Sequence, residues 1–213
     1  MPGFSQDQFP KLVKEGLVAY EGFAAGLELT KAKAAWTECK EEARRAAESV
    51  RTAETLLALA PAHKQRVTEW FGLKPSVPSH QNLYEKLRRN LLTFHSSILS
   101  RPVTLVNRPD MMYSSGPVHA SNSFDEGKKD IYGYVHWQVA GTGMRVICCK
   151  LFLTDPTPYY ASTTIYHELT HKLFTTKDHG YGADRCQELA TTSPATAIDN
   201  ADSYAYYVIS LFP

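Results

Sequence analysis

The 213-residue chain has no long hydrophobic run, no excess charge of either sign, no cysteine framework and no internal repeat. Its most apolar stretch, Val146 to Leu153, is interrupted by Lys150 and falls well short of the ~20 residues a membrane-spanning helix requires. Membrane insertion is therefore not expected. Twenty-three basic residues against 22 acidic ones leave a net charge of +1, which offers no electrostatic footprint for a nucleic-acid partner. The four cysteines, Cys39, Cys148, Cys149 and Cys186, are unevenly spaced and include no CxxC pair, so neither a disulfide-stapled scaffold nor a zinc knuckle is indicated. Buried free thiols are expected, the alternative being one bridge from Cys186 to the Cys148/Cys149 pair. The opening MPGFSQDQF lacks a basic segment followed by an apolar one, so no secretory signal is visible. What remains is an ordinary globular composition, long enough for one substantial core or for a catalytic unit with a helical appendage.

Apolar and small residues recur in steps of three and four from Thr30 to Leu59, at Ala32, Trp36, Cys39, Ala43, Ala46, Val50, Ala53 and Leu57. That spacing predicts a long helix closed by Pro61, with the charged run Lys40 to Arg45 as its wet face. Gln6 to Leu27 reads as an earlier helix, although Gly16, Gly22 and Gly26 weaken it. Lys64 to Phe71 and Gln81 to Leu99 continue the helical pattern, separated by a loop at Pro75 to Pro78. After Pro102 the character changes. Val103 to Val106, Ile131 to Val139 and Met144 to Leu153 are rich in β-branched and aromatic residues, and the last two flank Ala140-Gly141-Thr142-Gly143, a hairpin signal. Asn107 to Lys129 reads as a long loop bordering a cleft. Thr157 and Pro158 read as the cap and first turn of a helix running to Phe174.

That last helix carries the chemistry. His167-Glu168-Leu169-Thr170-His171 is an HExxH pattern, in which two histidines one turn apart share a helix face and reach one ion. Glu168 lies beside that face, where a carboxylate takes a proton from activated water. A catalytic zinc needs a third protein ligand. A metzincin continuation fails, because Phe174 and Lys177 occupy the required positions. Glu188, 17 residues past His171 in the helical-looking Ala183 to Thr191, satisfies a gluzincin spacing. Asp178 follows His171 by seven residues in a glycine-bearing turn and satisfies the requirement equally.

At these residues the chain resembles the aspzincins, the deuterolysin and lysine-specific metalloendopeptidase family, whose second motif runs Gly-Thr-x-Asp-x-x-Tyr-Gly. Thr176, Asp178, Tyr181 and Gly182 match it, with Thr175 in place of the leading glycine. The likeness continues through Cys186, Leu189-Ala190 and Asn200-Ala201-Asp202-Ser203-Tyr204, with a fainter echo at Trp70-Phe71-Gly72. It implies one zinc ion held by His167, His171 and Asp178, with Tyr181 assisting the transition state. In the lysine-specific branch two acids line the pocket for a substrate lysine. Asp202 matches the first, but the second falls on Ala205. Asp202 is thus either a substrate-pocket residue or a cap for the C-terminal helix, Ser203 to Leu211. His179 reads as a cleft residue, and His119 and His136 as structural or surface residues.

The expected fold is α+β: a helical N-terminal region over residues 1–100, then a zincin-like catalytic domain over 101–213 with a small antiparallel or mixed sheet and the HExxH helix. The expected function is hydrolysis of peptide bonds in protein or peptide substrates by a zinc endopeptidase. Export as a bacterial effector or toxin, with an immunity or secretion-machinery partner, extends that reading by analogy. Two rival readings use the same scaffold: a zinc amidase acting on cell-wall peptides, and a non-catalytic helical interaction module.

Overall fold

The computed structural model describes residues 12–107, 132–135, 143–154 and 158–212. The expected loop from Asn107 to Lys129, the Thr157 cap, His119 and His136 fall almost wholly outside them. Among the described residues five strands form one mixed sheet: β1 (Val13–Glu15), β2 (Val18–Glu21), β3 (Val103–Val106), β4 (Gly133–Tyr134) and β5 (Met144–Cys148), in the order β1-β2-β3-β5-β4. The central pairings, β2 with β3 and β3 with β5, are parallel. Both edge strands run antiparallel to their neighbours. Val103, Leu105 and Val106 are all buried, as expected of a strand covered on both faces.

The β1–β2 hairpin replaces the helix expected over Gln6 to Leu27. Gly16, at φ 59, makes the reversal between the strands, and Gly22 and Gly26 also adopt positive φ, which ends any helical path through the segment. Val18 and Tyr20 are buried while Ala19 and Glu21 are less so, a period of two. The helix α1 (Leu27–Arg51) follows, and it stops ten residues before Pro61. Proline instead opens α2 (Pro61–Phe71), where its missing N–H costs nothing. The helix α3 (His80–Ser100) follows as expected. The apolar run expected to be strand through Leu153 divides at Cys149, whose N–H donates to the Tyr132 carbonyl at 2.7 Å; Lys150–Thr154 forms the short helix α4. A short apolar run does not by itself distinguish buried strand from buried helix.

Helix α5 (Pro158–Phe174) is central. It packs against α1, α3, β4, β5 and the C-terminal α8 (Ala201–Ile209), which follows α6 (Ala183–Thr192) and α7 (Pro194–Ile198). Small residues on α1, among them Ala35, Cys39, Ala43, Ala46 and Ala47, are buried and permit its close approach. The run Lys40 to Arg45 is not wholly a wet face. Arg44 is exposed and paired with half-buried Glu41, but Glu42 is only 1% exposed, one step of three beyond buried Cys39, and accepts a hydrogen bond from Ser162 of α5 at 2.8 Å. Aromatic packing completes the core, with Phe94 stacked on Tyr166 at 3.9 Å and Phe71 meeting Tyr204 and Tyr207. All four cysteines are buried and none is in a disulfide, so no Cys186 bridge forms. No helix among the described residues is long and apolar enough to cross a membrane.

Candidate metal centre and active-site cleft

Helix α5 presents Tyr160, Thr163, Thr164, His167 and His171 along one face, in steps of three and four, to a cleft of about 870 Å³. The Nε2 atoms of His167 and His171 lie 3.2 Å apart. Asp178 brings Oδ1 to 3.1 Å from the first and 3.3 Å from the second. Among the described residues these three form the one group of histidine, cysteine or carboxylate side chains disposed to hold a metal ion. Glu188 lies apart from them, exposed on α6 and paired with Arg185.

Each histidine is aimed by its other nitrogen. His171 Nδ1–H donates to the Thr176 carbonyl at 2.7 Å, and His167 Nδ1–H donates to Asp202 Oδ1 at 2.6 Å, which leaves both Nε2 lone pairs turned to the shared point. Two nitrogens and one carboxylate oxygen suit zinc and leave a fourth position open. Burial disfavours charge on His167, yet the Asp178 and Asp202 carboxylates prevail and raise its pKa to about 10. Asp178 is held far below the carboxylate range despite its burial, by the two imidazoles. The negative field that retains a proton here is equally available to a dication.

The loop bearing Asp178 is held from the C-terminal side. Lys177 N–H donates to the Asp199 carbonyl, and the Lys177 carbonyl accepts from Ala201 N–H. The fully buried Asn200 accepts from both the His179 and Gly180 N–H groups through Oδ1, at 2.9 and 3.0 Å. Asp202 Oδ2 accepts from Gly182 N–H at 2.8 Å. Asn200 and Asp202 thereby clamp the metal loop to the start of α8. In the sequence, Asn200 is marked only by its membership of the Asn-Ala-Asp-Ser segment. His179 pairs with Asp199 at 2.9 Å rather than with the metal point.

Glu168 is 7% exposed and reaches within 4.0 Å of His167 Nε2. Burial raises its pKa, against the pull of the neighbouring imidazoles. Tyr181, 66% exposed, stacks on the His167 ring at 6.2 Å; desolvation of its phenol and a hydrogen bond to Asp178 keep it firmly protonated. The remaining cleft wall comes from Tyr132, Gly133 and Val135 around β4 and from Asp202, Ala205, Tyr206 and Ile209 of α8.

The sequence model of the lysine-specific metallo-endopeptidases matches residues 57–209. The chain belongs to this aspzincin family. It is 32% identical over 148 residues to a peptidyl-Lys metalloendopeptidase of Pleurotus ostreatus, covering 67% of this chain and 71% of that one. An extracellular protease of Aeromonas hydrophila is 29% identical over 156 residues, 71% of this chain and 37% of the relative. A peptidyl-Lys metalloendopeptidase of Armillaria mellea is 35% identical over 86 residues, 38% of this chain and 23% of its own length. The chain thus spans about a third and a quarter, respectively, of those two relatives. The fold is shared with a zinc peptidase from Grifola frondosa, at a TM-score of 0.59 and 21% identity over 87% of this chain and 96% of that one. The family is one of zinc metalloendopeptidases, and His167, His171 and Asp178 form a donor set that suits zinc.

Proposed function

We propose that this chain hydrolyses internal peptide bonds of protein substrates at the centre formed by His167, His171 and Asp178. The convergence of two Nε2 atoms and one Oδ1 within 3.3 Å, beside buried Glu168, carries that reading. Zinc held there supplies electrophilic polarisation and makes water a nucleophile near neutral pH. Glu168 accepts the proton of the attacking water and delivers it to the departing amine. Tyr181, protonated and stacked beside His167, donates to the oxyanion that develops on the former carbonyl oxygen. Loss of such a donor costs on the order of 3 kcal/mol, a hundredfold in rate. Asp202 borders the substrate cleft while holding His167 in register.

Zinc analysis together with casein cleavage tests the assignment on wild type, Glu168→Ala and Asp178→Ala. Glu168→Ala is expected to keep zinc and lose at least about a hundredfold in rate. Asp178→Ala is expected to lose both. Full zinc retention in Asp178→Ala would remove Asp178 from the ligand set. We further propose that the protein acts outside the cell that makes it, as an exported effector or toxin; the Aeromonas relative is named an extracellular protease. Equal toxicity of wild type and Glu168→Ala toward a target cell would refute a proteolytic effector.

A further inference from the structure

Helix α5 carries both metal-binding histidines, so its register sets where they stand. On the cleft side, His167 Nδ1–H donates to Asp202 and His171 Nδ1–H to the Thr176 carbonyl. Those acceptors stand on α8 and on the metal loop, which help to build the centre themselves. A reference outside the centre comes from the other side of α5, where it packs on α1.

The buried stripe of α1 is smooth. Ala35, Cys39, Ala43 and Ala46 raise only low ridges, over which a facing helix shifts at little cost. From α5, Ile165, Tyr166 and Leu169 are fully buried, and apolar contacts of this kind have no direction. Among the described residues, one side-chain hydrogen bond crosses between the two helices: Ser162 Oγ–H donates to Glu42 Oε1 at 2.8 Å. Ser162 stands five residues before His167, about 7.5 Å along the helix axis.

This pair adds little stability. Glu42 is 1% exposed, and its second carboxyl oxygen is buried without a partner. Desolvating a carboxyl with one oxygen unpaired costs more than a single hydrogen bond returns, and an apolar residue of similar volume fills such a place without loss. What the bond supplies is direction. A turn of α5 by about 10° carries a side-chain tip about 6 Å from its axis through about 1 Å. The three ligand atoms lie within 3.3 Å of one another, and a site of this kind tolerates a displacement of only about 0.5 Å.

We propose that Glu42 is a positioning residue for the metal centre, holding α5 through Ser162 at the register on which His167 and His171 converge with Asp178. Glu42 lies before residues 57–209, the part of the chain matched by the family's sequence model. The inference rests on the assignment of the metal centre above.

Two substitutions at one position separate register from stability in the full chain. Glu42→Met fills a similar volume and removes the bond, and Ser162 then turns its hydroxyl to a carbonyl of its own helix. Glu42→Gln keeps the acceptor. Zinc affinity is read at neutral pH by competition with a chromophoric chelator, and stability by the unfolding temperature of the zinc-free protein, which removes the contribution of binding. Glu42→Met is expected to unfold at or above the wild-type temperature yet to bind zinc about tenfold more weakly. Glu42→Gln is expected to stay within about twofold of wild type in affinity. Should Glu42→Met fail to fold, Ser162→Ala takes its place, with the same loss of about tenfold measured well below its unfolding temperature. Wild-type affinity in the variant that lacks the bond overturns the positioning role while the metal centre stands. Affinity that falls only in step with the unfolding temperature, or falls as far in Glu42→Gln as in Glu42→Met, overturns it as well. Zinc bound by none of the proteins, wild type included, overturns the centre and this inference together.

Discussion

Thr175 occupies a position where an L-residue with a branched Cβ is strained. It has φ 57 at the end of α5, and its N–H donates to the His171 carbonyl at 3.2 Å to close the helix. The aspzincin motif resembled by this segment places glycine there, and the geometry supplies the reason. Thr175→Gly is expected to stabilise the protein by about 1 kcal/mol, the relief of left-handed strain less the added entropy of the unfolded chain. A lower unfolding temperature for that variant would sink the argument. Asp202 presents the converse case, a residue whose sequence reading left two roles open and whose observed contacts are more specific than either. Removing it in Asp202→Ala is expected to weaken zinc binding about 10- to 100-fold, since His167 loses the acceptor that orients its ring. Competition with a chromophoric chelator measures this, and unchanged affinity would mean that the ring is held by packing alone. Helix periodicity alone puts His167 and His171 on one face, whereas Asp178 stands level with Glu188 on spacing and only the family resemblance favours it. Asn200 could not be read in advance, because its partners His179 and Gly180 lie about 20 residues away and only the folded loop brings them to its side chain.

At the scale of elements, the α1–α5 contact holds an ionisable group that charge patterning alone misassigns. Glu42 lies in a run of charged residues, yet it falls on the buried stripe continued by Cys39, Ala43 and Ala46, and helical spacing was the signal that could have placed it. One carboxyl oxygen accepts from Ser162; the other is buried without a partner, as is the Tyr166 hydroxyl of α5. Desolvation raises its pKa from 4.5 to about 8. A carboxyl raised by folding binds its proton more tightly folded than unfolded. Stability is therefore greatest below the unfolded value and falls as pH climbs from about 4.5 to about 8, by up to ~1.4 kcal/mol per unit, then levels off. Glu42→Gln keeps the acceptor for Ser162 and removes the proton from the balance. Its unfolding temperature is expected to match wild type near pH 4.5 and to exceed it increasingly up to about pH 8. Parallel curves for the two proteins would show that Glu42 does not titrate in this window. Helix α3 is visible from its apolar spacing. The β1–β2 hairpin is not, since its strands are three and four residues long and its buried face is defined by a partner, β3, some 80 residues later.

Across the whole molecule, the N-terminal hundred residues and the metal-bearing remainder share one interior. A continuous set of buried side chains runs from Val18 through Trp36, Phe71 and Leu91 to Tyr166 and Val208, and strands from both parts join in one sheet through the β2–β3 pairing. Gly72 joins α2 to the segment after the metal loop: its backbone is left-handed, at φ 69, and a Cβ there would overlap the Ala190 carbonyl of α6. This contact accounts for the glycine of Trp70-Phe71-Gly72, just as Tyr206 accounts for the tryptophan and Tyr204 and Tyr207 for the phenylalanine. Gly72→Ala is expected to cost about 3 kcal/mol or more, combining the conformational penalty with displacement of α6. If the core is energetically as continuous as its packing, the damage spreads to the site, although Gly72 touches no metal ligand. Helix content followed by circular dichroism and zinc release followed by a fluorescent chelator should then give one midpoint in urea, and Gly72→Ala should lower both together. Zinc release at lower urea than loss of helix, with only the second midpoint moved by the substitution, would show instead that the helical part unfolds as a unit of its own.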